Sequence, residues 1–124
     1  VFLEELPDQC PPADAVDTHL NKVWRVVPAL TPGLEDFHSH AKRGKPKPPP
    51  VSDCHWASCS LFNSKTKAAS IASKLPKPRF SSPYLAELQI AQGSGKSLSK
   101  HEHIHFWMYA EFDPVAAIIQ TTPV

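Results

Sequence analysis

His101, His103 and His105 recur at every second position. On a β-strand that spacing turns three imidazoles to one face, roughly 7 Å apart. Two neighbouring imidazoles could share a metal ion, whereas three on one straight strand reach a single ion poorly. A further ligand such as His55 or Glu111 would have to come from elsewhere. Trp107 and Tyr109 continue the same face, so the spacing describes a cleft lined by rings as readily as a metal site. Arg25 lies inside the apolar run Val23-Trp24-Arg25-Val26-Val27. A guanidinium there must reach a carboxylate such as Glu87, a cleft or a bound anion, because an unpaired buried charge is strongly unfavourable.

Ser58-Cys59-Ser60 places two hydroxyls on one face of a strand. They could orient a ribose or a phosphate, or bond neighbouring backbone groups. No Gly-x-Ser-x-Gly surrounds either serine. Cys59 could serve as a thiolate nucleophile only with a depressed pKa. Gly93-Ser94-Gly95-Lys96-Ser97 ends in Gly-Lys-Ser, but the phosphate-loop pattern needs glycine at position 90, which is Ile90. The segment therefore reads as a turn.

The elements that must position these residues follow from periodicity. Lys22–Val27 and His55–Leu61 read as strands. Ser64 is an N-cap for a helix carrying Ala68, Ile71, Ala72 and Leu75, which Pro76 stops. Tyr84–Ile90 alternates and ends at the Gly93-Ser94-Gly95 turn, and His103–Phe112 alternates most clearly. A short helix is expected within Thr31–Ala41, capped by Thr31, and a final strand over Val115–Ile119. Fourteen prolines break the intervening chain into long loops, with Lys45–Pro50 extended and polyproline-like. The expected fold is α+β: a mixed, mainly antiparallel sheet with one or two short helices and long Pro-rich loops. The 124 residues suffice for one domain, with an acidic, irregular segment over 1–17.

Composition is ordinary for a globular chain, 41% hydrophobic and 20% charged. No apolar stretch approaches the roughly 20 residues of a membrane span. The first residues lack the basic-then-apolar pattern of a signal peptide. Three cysteines without regular spacing read as free thiols in a reducing compartment, so a cytoplasmic location is expected. Residues 1–17 hold five acids and no base, whereas residues 42–100 hold eleven bases against Asp53 and Glu87. That basic middle points to an anionic partner: a nucleotide-like small molecule or a nucleic acid. The Lys45–Pro50 run would suit a protein-interaction module that reads polyproline helices.

Trp24-Arg25-Val26-Val27-Pro28, Asp36-Phe37-His38-Ser39-His40-Ala41, Gly44-Lys45-Pro46 and Ser58-Cys59-Ser60-Leu61-Phe62 with Ala68 occur in that order. With Tyr84–Leu88 and the His103…Trp107…Asp113-Pro114 region, they resemble a family of short bacterial proteins of uncharacterised function, over residues 20–118. The layout is also faintly similar to ADP-ribosyltransferase-like domains, a group that includes toxin-like transferases. That resemblance implies NAD as cofactor, with Arg25 on its phosphates and Ser58 or Ser60 in the serine-centred motif; Trp107 and Tyr109 would line the same pocket. The family's Ser-Thr-Ser is Ser-Cys-Ser here, and its paired late glutamates are missing. Glu102 or Glu111 would have to substitute, with His103 or His105 as a ligand-binding group or general base. A metal-dependent enzyme built on His101, His103 and His105 is the further alternative.

Overall fold

Strands form where β-branched and aromatic residues alternate, and six of them join into one antiparallel sheet. A computed structural model describes all 124 residues. The strands are β1 (Leu20–Val27), β2 (Cys59–Phe62), β3 (Tyr84–Ile90), β4 (Gly95–Lys100), β5 (His103–Met108) and β6 (Ile118–Pro123). Their order across the sheet is β4-β5-β2-β1-β3-β6. A 3-10 turn over Leu34–Phe37 and two helices, α1 (Asp53–Trp56) and α2 (Lys65–Ala72), complete the elements. The α+β class with a mainly antiparallel sheet is as expected. No helix is long and apolar enough to cross a membrane.

Alternation gives the sheet two different faces. Val23, Val27, Leu61, Leu88, Ile104 and Phe106 are buried on one, against Phe37 and the N-terminal Leu3. Trp24, Val26, Phe62 and Leu85 are buried on the other, beneath Ala68 and Ala72 of α2 and beside Phe80. Each large apolar side chain so buried contributes about 1.5–3 kcal/mol. The Ser64 hydroxyl caps α2 by accepting from the Lys67 N–H at 3.2 Å, as its position ahead of the apolar repeat predicts.

Several expected elements are displaced. His55 and Trp56 lie in the one-turn helix α1, not in a strand; Ser52 caps it by accepting from the His55 N–H at 3.0 Å. The Gly-Lys-Ser segment is the start of edge strand β4. The final strand begins at Ile118, and in place of the short helix expected within Thr31–Ala41 and capped by Thr31 there is a single 3-10 turn over Leu34–Phe37 with Gly33 as its cap.

The acidic N-terminal segment has no regular element, but it is anchored. Val16 and Ser97 exchange backbone hydrogen bonds of 2.9 and 2.8 Å, which covers part of the free edge of β4. The Ser39 N–H and hydroxyl donate to the Glu4 carboxylate at 3.0 and 2.6 Å. Cys10 and Cys54 form a disulfide, leaving Cys59 as the free thiol. The expectation of three free thiols is thus corrected, and the cysteine content no longer argues for a reducing compartment.

Candidate functional site

The centre of the sheet is parted. Between β1 and β2 only Trp24 and Phe62 are paired in register, whereas β1 follows β3 along almost its whole length. Arg25 fills the gap. Its Nε and Nη2 donate to the Asp36 carbonyl at 3.1 and 3.0 Å, and Nη1 donates to the Ser60 carbonyl at 2.9 Å. Nη2 also reaches the His38 carbonyl at 3.4 Å. The guanidinium is therefore satisfied by main-chain oxygens. Glu87, one of the alternatives sequence allows for Arg25, accepts instead from Gln120 at 3.0 Å.

Beside this gap lies a cleft of about 340 Å³. Arg25, Arg79, Lys67 and His40 supply its cationic and titratable groups. Phe62, Ile71, Leu75 and Phe80 supply an apolar wall. One buried carboxylate, Asp36, serves two guanidiniums here, Arg79 at 3.0 Å and Arg43 at 4.0 Å. Positive charge is in excess. The pKa of His40 is lowered by burial and then by Arg25, Arg43, Lys45 and Arg79. The Arg79 guanidinium also sits over the Phe80 ring, 4.6 Å from its centroid.

Ser60 and His103 complete the lining. The register sets Ser60 opposite His105 and Phe62 opposite His103, so Ser60 meets His103 on the diagonal. Their Oγ and Nε2 are 3.1 Å apart. One step along, Ser58 meets His105 in the same diagonal sense, with Oγ 2.9 Å from Nδ1. These two pairs differ in polarity. The Ser58 hydroxyl donates to the His55 carbonyl at 2.7 Å. Its only proton is used there, so it must accept from the His105 Nδ1–H. Ser60 Oγ has His103 as its hydrogen-bond partner and no competing acceptor.

The imidazoles form a stack, not a chelate. His55 lies on His105 with centroids 4.2 Å apart and planes 12° apart, and His103 meets His105 edge-on at 4.4 Å. All are half-buried. Burial, then the neighbouring His103 and His55, then Lys100, push the pKa of His105 down to about 4. His103 is lowered by burial, then His55 and Lys67.

Other residues singled out by sequence lie elsewhere. His101 has φ 57° in the β4–β5 turn, outside the strand, so the three histidines do not share a face. No three His, Cys, Asp or Glu side chains converge as a metal-holding group. Trp107 is fully buried, not exposed, and donates from Nε1 to the Cys54 carbonyl at 3.0 Å. Tyr109 lies past the end of β5 and donates to Asp17 at 3.2 Å. Glu102 and Glu111 are exposed in turns and do not line the cleft. Cys59 is buried, and burial raises its thiol pKa, the opposite of a nucleophile. Conversely, Lys67, Arg79 and Phe80 enter the cleft from α2 and the Pro76–Pro83 loop. For Lys67 and Arg79 the only sequence signal is the local excess of bases, and Phe80 has none.

No protein-family model, curated protein or solved structure matches the chain.

Proposed function

We propose that the cleft binds a phosphate-bearing, nucleotide-like small molecule, NAD or a fragment of it among them. The observation that carries this reading is the convergence of three cations, Arg25, Arg79 and Lys67, with the apolar side chains Phe62, Ile71, Leu75 and Phe80 in one cleft. Guanidiniums suit phosphate oxygens, and the Phe62–Phe80 wall suits a planar or apolar moiety. Ser60, which lines the cleft, would bond a ribose hydroxyl. The volume lies near the lower end of ligand pockets, roughly 300–1,000 Å³, which fits a mononucleotide better than a whole dinucleotide. The ADP-ribosyltransferase-like reading keeps Arg25 and Ser60 at the ligand, but the nearby Asp36 carboxylate is engaged by Arg79 and Arg43 and no carboxylate lines the cleft to activate an acceptor, so binding is favoured over transfer.

Titration calorimetry with AMP, ADP-ribose and NAD tests this, using Arg79→Ala and Lys67→Ala variants. Binding that weakens roughly 10- to 100-fold in each variant is expected for the loss of one charged hydrogen bond. Absence of heat with all three ligands would refute it. Release of nicotinamide from NAD would restore the transferase reading.

A second reading, single-stranded nucleic acid, is favoured by one observation. His40, on the cleft, stacks on Trp56 at 4.4 Å and 20° beside the lysine-rich 42–47 loop. It requires affinity that falls steeply with salt.

A further inference from the structure

We propose that Ser60 and His103 act as a nucleophile–base dyad that hydrolyses carboxylic esters bearing a negative charge. The choice of an anionic substrate rests on the cationic-cleft reading above; the dyad itself rests on separate geometry. Of the two diagonal Ser–His pairs, only this one opens on the cleft and only this one has a hydroxyl proton free to move toward the imidazole. A separation of 3.1 Å lies within the reach required of a nucleophile and its base.

Both partners are held. The Ser60 carbonyl is fixed by Arg25 at 2.9 Å. The His103 ring packs against Phe62 at 5.3 Å and edge-on to His105 at 4.4 Å. Burial, then His55 and Lys67, lower the pKa of His103 and so favour its neutral form, the one that accepts a proton. No carboxylate bonds the other ring nitrogen, so packing alone orients the imidazole. Turnover should be slow beside that of a full triad, in which the carboxylate contributes about 10⁴-fold.

In the first half-reaction the Ser60 Oγ attacks the ester carbonyl carbon and its proton passes to His103 Nε2. Negative charge grows on the carbonyl oxygen within a cleft that Arg25 and Lys67 line, and their positive charge offsets it. The bond to the alcohol oxygen then breaks, His103 returns the proton to that oxygen, and an acyl-Ser60 ester remains. Water attacks this ester, His103 takes the water proton, and Ser60 regains it as the carboxylic acid leaves. No oxidant or further reactant is needed.

The test combines labelling with turnover. A fluorophosphonate probe should add to Ser60, shown by peptide mass mapping, and should not label Ser60→Ala. Hydrolysis of 4-nitrophenyl acetate at pH 7.5 should fall at least 100-fold in both Ser60→Ala and His103→Gln, with folding checked by circular dichroism. The anionic 4-nitrophenyl hemisuccinate should be cleaved faster than the acetate, and Lys67→Ala should erase the preference. An unlabelled Ser60 in folded protein, or hydrolysis that survives Ser60→Ala, would overturn the dyad while nucleotide binding could still stand. Equal rates on the two esters would overturn the anionic-substrate assignment and leave the dyad.

Discussion

Replacing His105 by phenylalanine should flatten the dependence of stability on acid. The His105 imidazole lies against His55 and His103, and its pKa falls from 6.5 to about 4 because of burial and, next, those two neighbours. Below pH 6.5 the unfolded chain takes up a proton at this ring and the folded chain does not. Stability is therefore present above pH 6.5 and is lost as pH falls toward 4. At full value the depression corresponds to about 3 kcal/mol. Solvent on the half-buried ring reduces that to about 1.5 kcal/mol. With a urea slope of about 2 kcal/mol per molar, the unfolding midpoint should drop by roughly 0.7 M more in the native protein than in His105→Phe. The variant also loses the bond to Ser58, but that loss is common to both pH values. Urea titrations at pH 7 and pH 4 on both proteins measure the difference. Parallel acid losses in the two would show that the stacked rings do not carry the effect.

Two further outcomes test the framework around the site. A side chain at Gly95 would meet the Trp107 carbonyl and come within 3.0 Å of the Met108 Cα and the Phe106 ring. Gly95→Ala should therefore cost about 2–3 kcal/mol, or roughly 10 °C in a thermal melt. Gly93→Ala, at φ +95° in open space, should cost only about 1 kcal/mol. Loss of the Cys10–Cys54 link, which spans a separation of 44 residues, should cost up to about 4 kcal/mol in a double serine variant. An unchanged melting temperature in strong reductant would contradict that figure.

The parts of the fold legible in sequence are those where periodicity and burial agree. In β3 and β5 an alternate series, Ala86, Leu88 and Ile90 or Ile104, Phe106 and Met108, is apolar and faces a core. Strand β1 is a run of β-branched and aromatic residues buried on both faces, and Ser64 marks the start of α2. Strand β4 was hidden because Gly-Lys-Ser-Leu-Ser-Lys carries one large apolar residue and owes its place to pairing with β5. α1 is concealed because His55 and Trp56 favour strands, while the competing signal, the Ser52 cap, comes three residues earlier. The disulfide joins residues too far apart for spacing to reveal. Arg25 and Ser60 were identifiable as chemically unusual positions. Their distinction from Ser58 was not, since it depends on where one hydroxyl proton goes.

The single paired position between β1 and β2 divides the sheet into two three-stranded leaves, β4-β5-β2 and β1-β3-β6, with one arginine as the rivet. The cleft takes its lining from both leaves, Ser60 and His103 from one and Arg25 and Val26 from the other. A molecule seated there bridges them. Occupancy should therefore slow amide exchange along the inner margins of both leaves at once, coupling the stiffness of the whole protein to a guest that touches only its middle.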